Sequence, residues 1–170
     1  MISNNVTRLL DSRRIPYTPF ELPPEKLGAA ETAAILGVAR HLVYKTIVVV
    51  REKPGKAVLA VIPGDREVDV KAVAAFLGEK KLRIPTQKEA EQLTGLQAGG
   101  ISPLALLNKP FQVLLDSRAG ALPEIHVSGG QRGLNIRLAT AALIRLCNAR
   151  LADISQPGTD ATTADPTGPD

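Results

Sequence analysis

Three features of the chain have the residue types and spacing for chemistry, and two of them are glycine loops. Thr94 to Leu104 reads Thr-Gly-Leu-Gln-Ala-Gly-Gly-Ile-Ser-Pro-Leu, with Gly95, Gly99 and Gly100 close together and Pro103 closing the segment. Glycine accepts positive φ and lets another group approach the backbone, while proline fixes the exit of a loop. Such a loop can aim backbone N–H groups at an oxyanion, a carbonyl or a phosphate; it can equally be a tight helix-to-strand connection. Ser128-Gly129-Gly130-Gln131-Arg132-Gly133 is the second loop. Lys45 is the third feature, on the face of an extended segment that also carries Val43, Ile47 and Val49. An ammonium on an apolar face is costly unless it opens onto water, a partner or a ligand. Lysine can stabilise a developing oxyanion or anchor a phosphate, or it can sit at a strand end and reach solvent along its stem.

Other chemistries find little support. His41 and His126 are the two histidines, and no Cys/His/Asp/Glu spacing resembles a zinc site, so no metal and no cofactor is expected. Ser102, Ser128, His126 and Asp116 could be assembled on paper into a hydrolase triad, but neither serine lies in a Gly-x-Ser-x-Gly elbow. Neither glycine loop has Walker A or dinucleotide spacing. His126, just before a loop, reads as structural, and Cys147 on an apolar helical face reads as core.

The elements that must position these groups belong to one domain of 170 residues, long enough to bury a real core. Aromatic residues make up only 3% and tryptophan is absent, so the core is built from Val, Leu, Ile and Ala. A base-stacking platform is thereby disfavoured. One cysteine precludes an internal disulfide and fits a reducing compartment. With no membrane-length apolar run and no signal-peptide pattern, the expectation is a soluble cytoplasmic protein. The formal charge is +4, but Asp160, Asp165 and Asp170 lie in a tail without Lys or Arg; the rest carries +7. A basic body is compatible with a polyanion such as RNA without selecting one.

The spacing predicts a helix from about Asn4 to Arg14, with Val6, Leu9 and Leu10 on one face, then an edge strand over Ile15 to Leu22 limited by Pro16 and Pro19. A short helix from Glu31 to Leu36 stops at Gly37. Val43 to Val50 is the strongest strand, with Ala57 to Ile62 as its hairpin partner. Asp69 caps a helix ending at Gly78, Leu82 to Ile84 is a short strand, and Thr86-Gln87-Lys88-Glu89 forms a capping box for a helix to about Leu93. Phe111 to Leu115 and Glu124 to Val127 are strands, Leu138 to Cys147 has helical spacing, and Leu151 to Ile154 is a final strand. The result is an α+β fold, with a compact, mixed, barrel-like sheet and helices around it. Residues 1–155 form the domain, and Gln156 to Asp170, rich in Pro, Gly, Thr and Asp, form a disordered tail.

Val43-Tyr44-Lys45-Thr46, Gly99-Gly100-Ile101-Ser102-Pro103 and Val127-Ser128-Gly129-Gly130-Gln131-Arg132-Gly133, in that order, resemble the signature of the YbaK/EbsC family. This is the prolyl-tRNA editing superfamily of aminoacyl-tRNA deacylases, and the resemblance runs from about Asn4 to Ser155. It implies hydrolysis of the ester joining a wrong amino acid to the 3′ end of tRNA, typically cysteine on tRNA(Pro), in trans and without a metal. In cysteine-editing members the substrate's own thiol attacks its carbonyl, a lyase-like cyclising release. The partners implied are mischarged tRNA(Pro) and prolyl-tRNA synthetase.

Carried onto this chain, the resemblance makes Lys45 the site lysine and Gly99 to Pro103 the Gly-x-x-x-Pro element. The N–H groups around Gly100, Ile101 and Ser102 would hold the substrate carbonyl or terminal ribose; one such donor can be worth roughly 3 kcal/mol in a transition state. Phe20, Thr46, Gly99, Pro103 and Asn135 join the substrate-binding set, and Ser128, Gly129 and Gly130 form the opposite wall. Two departures bear on specificity. Cysteine-editing relatives often carry a tyrosine in the segment matching Phe20–Leu22, and an aspartate where this chain has Asn135. Two other readings of the residues stand beside the deacylase: a non-catalytic tRNA- or nucleotide-binding module on the same fold, and a small-molecule esterase.

Overall fold

The computed structural model describes residues 2–158. Helix α1 (Asn5–Ser12) starts where the Asn4 side chain accepts the Thr7 N–H and the Thr7 hydroxyl accepts the Asn4 N–H, a reciprocal cap. It buries Val6 and Leu10, one helical turn apart. Strand β1 (Tyr17–Glu21) lies at the edge of its sheet, where Pro19 can be tolerated. Helix α2 (Ala29–Leu36) ends on Gly37 at φ 71°. Strands β2 (Tyr44–Arg51) and β3 (Ala57–Pro63) form the expected antiparallel hairpin. Strand β4 (Arg66–Val68) leads into α3 (Val70–Leu77), capped by Asp69 and ended by Gly78. Next come β5 (Leu82–Arg83) and α4 (Gln87–Thr94). The described chain closes with β6 (Phe111–Asp116), β7 (Glu124–Ser128), β8 (Leu134–Ala139), α5 (Thr140–Cys147), β9 (Arg150–Ala152) and β10 (Ser155–Pro157).

Strand β3 is the axis of packing. In the five-stranded sheet β5-β2-β3-β6-β9 it lies between β2, antiparallel, and β6, parallel. Val58 to Ile62 are fully buried, and their side chains alternate between two clusters. Leu59 and Val61 meet Val6 and Leu10 of α1, Ile136 of β8 and Leu143 of α5. Val58, Ala60 and Ile62 meet Val49, Leu114, Ile154 and Val73 of α3. A strand apolar on both faces is what coverage on two sides requires, and each fully buried Val, Leu or Ile contributes about 1.5–3 kcal/mol. A second sheet, β1-β8-β7, is antiparallel throughout, and β4 pairs with β10 in a third.

The mixed α+β class agrees with the sequence reading. The barrel-like detail does not appear: among the described residues the strands form three sheets, with no closed barrel. Leu138, placed by its spacing in a helix, is the fifth residue of β8, and α5 begins at Thr140. The alternation of Leu134, Ile136 and Leu138, with Asn135 and Arg137 between them, decides in favour of a strand. Thr86 caps α4 by accepting the Glu89 N–H, but the Glu89 carboxylate turns to Arg83 with both oxygens instead of closing a capping box. The strand expected over Leu151 to Ile154 is β9, one residue earlier and shorter. Gln156 and Pro157, read as tail, pair with Glu67 and Arg66; residues 159–170, the rest of the expected disordered tail, lie outside the described residues.

Candidate functional site

Among the described residues strand β5 pairs only with Val50 and Arg51, so the first half of β2 has β3 on one side and, on the other, a single bridge from Val43, just before β2, to His126 of β7. A cavity of about 250 Å³ lies there. Lys45 and Thr46 of β2 line it, facing Gly99 and Ile101 of the first glycine loop. Ser128 at the end of β7 and Asn135 of β8 form a second wall, and Leu22, Glu25 and Leu27 from the β1–α2 connection form a third. Three segments far apart in sequence therefore converge on the start of β2, because β2 leaves part of its edge open.

The two glycine loops touch each other. A Cβ on Gly100 would come within 2.8 Å of the Gln131 backbone and 2.9 Å of the Arg132 nitrogen, so only glycine lets these backbones meet. Arg132 Nε donates across the contact to Ala98 O at 2.7 Å, and the Ala98 N–H donates to the Glu91 carboxylate at 2.8 Å. Asn4, beyond capping α1, donates to Gly129 O at 2.9 Å and so ties the second loop to the N-terminal helix. Gly99 adopts φ 90°, a left-handed turn that brings Ile101 to the cavity.

Hydrogen-bond accounting sorts the sequence-derived candidates. The Gly100 N–H donates to Gln97 O at 2.8 Å and Gly100 is buried, so it serves the loop's own turn rather than a ligand. Ser102 is fully buried, and its hydroxyl accepts the Leu104 N–H at 3.2 Å to start the turn at Pro103, itself buried. The N–H groups of Ile101 and Ser102 have no acceptor among the described residues. In the second loop the Gly129 N–H goes to Leu134 O at 2.8 Å and the Gly130 N–H to the Ser128 hydroxyl at 3.2 Å. Of the twelve sequence candidates, Lys45, Thr46, Gly99, Ile101, Ser128 and Asn135 line the cavity; Phe20, Gly100, Ser102, Pro103, Gly129 and Gly130 do not.

Phe20 packs instead behind Asn135. Their Cα atoms are register partners, and the Phe20 ring lies 5.5 Å from that of His126 and 5.5 Å from the Arg137 guanidinium carbon. From the same segment it is Leu22 that reaches the cavity wall. His126, read from sequence as structural, is buried with Nδ1 2.9 Å from Asn135 Oδ1. A carbonyl oxygen only accepts, so Nδ1 carries the proton and the Asn135 Nδ2 group is left for the cavity. Burial lowers the His126 pKa below its ordinary value, which favours the neutral ring.

The paper triad is not assembled. Asp116 is buried, accepting the Ser155 hydroxyl at 2.6 Å and pairing with Arg118, and it does not line the cavity. Burial pushes the Cys147 thiol up to about 12, which leaves it inert at neutral pH. Tyr44 is held protonated by the same cause, its phenol also raised to about 12. Among the described residues no group of three His, Cys, Asp or Glu side chains could hold a metal, and no helix is long and apolar enough to cross a membrane. Sequence reasoning missed Glu25, Leu27 and Thr32 as wall residues. Nothing local marks them, since the loop begun by Pro23-Pro24 and the first turn of α2 reach the site only through the fold.

Apart from Leu22, the residues that line the cavity lie within a matched family region. Residues 23–146 match the model of the aminoacyl-tRNA editing domain. The chain is 36% identical over 153 residues to the Enterococcus faecalis protein named "Putative Cys-tRNA(Pro)/Cys-tRNA(Cys) deacylase EbsC", across 89% of this chain and 92% of that one. It is 27% identical over 138 residues to proline–tRNA ligase of Desulfotalea psychrophila, across 81% of this chain but only 23% of the ligase. Among solved structures, one titled "a putative trans-editing enzyme for prolyl tRNA synthetase" superposes with TM-score 0.76 at 28% identity, covering 92% of this chain and 99% of that one. A hypothetical protein superposes with TM-score 0.82 at 25% identity, covering 90% and 100%. Matched over most of its length by the family model and by a relative of the same extent, the chain belongs to the aminoacyl-tRNA editing domain family.

Proposed function

We propose that this protein hydrolyses, in trans, the ester between a wrong amino acid and the terminal ribose of tRNA, with Cys-tRNA(Pro) as the foremost substrate. The observation that carries the reading is the meeting of Lys45 with Ile101, whose N–H is open, at one cavity where, among the described residues, no Ser–His–Asp triad is assembled. An aminoacyl ester is already activated, so polarising its carbonyl matters more than a strong protein nucleophile. As water, or the substrate's own thiol, adds to the carbonyl, the Ile101 N–H and the Lys45 ammonium stabilise the oxyanion. With cysteine, the new S–C bond replaces the ester C–O bond and the thiol proton ends on the ribose oxygen. The cyclic thioester so released is then opened by water.

The names of the relatives support the substrate class, and the match of this chain to a segment of a proline–tRNA ligase supports a partnership with prolyl-tRNA synthetase. A cytoplasmic location follows from where tRNA is charged. Single-turnover deacylation of Cys-tRNA(Pro), Ala-tRNA(Pro) and Pro-tRNA(Pro) by the protein and by Lys45→Ala tests the reading. Release of cysteine that collapses in the variant is the expected result. Release of alanine alone would keep the reaction and change the specificity. Binding of tRNA without turnover would replace the enzyme with a binding module on this fold, and neither binding nor turnover would leave a small-molecule esterase.

A further inference from the structure

Among the described residues two charged side chains line the cavity, Lys45 and Glu25. An aminoacyl ester brings its α-amino group with it, largely ammonium below an α-amino pKa of about 8. That cation is best met by an anion, and most of the walls supply none. Asn135 has committed its oxygen to His126 and presents an NH₂ donor to the cavity. Lys45 repels an ammonium. The hydroxyls of Thr32, Thr46 and Ser128 can accept but carry no charge, and the Ser128 oxygen also accepts the Gly130 N–H.

Glu25 remains. Its carboxylate is exposed, and among the described residues it makes no ion pair or hydrogen bond. The neighbouring carboxylate, Glu31, is spent on the Gly28 N–H at 3.1 Å. Nor is Glu25 on a loose segment. Its own N–H donates to Pro23 O at 2.8 Å, and the Leu22 N–H donates to Gly133 O at 2.9 Å, which fastens the connection to the second glycine loop. A carboxylate held at one wall with a lysine and an amide donor at the others is a polarised cavity, able to orient a substrate that carries a cation next to a carbonyl.

We infer that Glu25 is the specificity residue that reads the substrate's free α-ammonium, turning its carbonyl toward Lys45 and Ile101 and its amino group toward the β1–α2 connection. This rests on the deacylase reading and adds to it a consequence: aminoacyl ends whose nitrogen is acylated, as in peptidyl-tRNA, are poor substrates. His126 acts through Asn135 as a positioning residue, because it fixes which end of the amide faces the cavity.

The test compares kcat/KM on Cys-tRNA(Pro) and on N-acetyl-Cys-tRNA(Pro) for the wild type, Glu25→Gln, and Glu25→Gln combined with Asn135→Asp. The wild type should prefer the free amine by roughly tenfold or more, the size of a charge-assisted hydrogen bond. Glu25→Gln should lose that factor on the free amine and nothing on the acetylated substrate, so the preference collapses. Asn135→Asp, which keeps an oxygen for His126 and gives a second to the cavity, should restore part of it. Equal losses on both substrates, or a wild type indifferent to acetylation, would overturn the role of Glu25 while leaving the deacylase standing. No hydrolysis of either ester by the wild type would remove the deacylase and this inference with it.

Discussion

The two glycine loops are alike in composition and opposite in what they leave free. In Gly129-Gly130 the backbone donors are consumed, one by Leu134 O and one by the Ser128 hydroxyl. In Gly99-Gly100-Ile101 only the Gly100 N–H is consumed among the described residues, and Ile101, whose N–H has no acceptor there, lines the cavity. Glycine content tells where a backbone can turn sharply or be approached; hydrogen-bond accounting tells which turn can hold a ligand. The second loop is thus a wall and a brace, and the first keeps the donor that we propose for the oxyanion.

The strongest way to break this comparison is Gly100→Ala. Its Cβ would meet backbone rather than a movable side chain, so the loops must part. We expect a stability loss of about 1–3 kcal/mol by denaturant melt, the range for overpacking. Deacylation should fall by at least about 10²-fold, the loss on removing an oxyanion donor. Lys45→Ala should also cost about 10²-fold in kcat with a smaller stability loss than Gly100→Ala, because the residue lines the cavity instead of filling the core. Arg132→Ala removes the bond to Ala98 O that clamps the first loop against the second. It should cost about 1.5–3 kcal/mol in stability, the range for a hydrogen bond to a charged group, with a smaller fall in activity. Ser128→Ala frees the Gly130 N–H and should cost about 0.5–1.5 kcal/mol with less than a tenfold change in rate.

A pH measurement sharpens the same contrast at the Asn135 wall. The His126 pKa is lowered in the folded protein, so folding favours the neutral ring. Its contribution is complete above the unfolded value, about 6.5, and is lost as pH falls through the lowered folded value. The urea midpoint should therefore drop on acidification below pH 6.5, and His126→Gln should flatten that part of the profile.

Much of this architecture was legible because its signals are local. Asp69 and Gly78 bracket α3 through a cap and a left-handed stop within one short segment, and the apolar run of β2 implied cover on both faces. Lys45 stood out because a charge interrupts an apolar face. Strand β8 was obscured where the spacing of Leu138 with the following helix competed with the alternation from Leu134. The pairing of Gln156 with Glu67 depends on a distant strand and leaves no local trace. At the site, the glycine loops were recognisable, but not which of their donors are spent, since Gln97 O, Leu134 O and Ser128 Oγ become acceptors only once the chain has folded. Glu25 was invisible for the same reason.

The central claim, that the open donor of the first loop does the work, is tested most directly by replacing the Ile101 amide with an ester, which deletes that N–H and keeps the side chain. The same replacement at Gly130 serves as the comparison. A fall in kcat of about 10²-fold at Ile101, with tRNA binding kept and little change at Gly130, is the predicted result. Full activity with the Ile101 ester, or an equal loss at both positions, would contradict it.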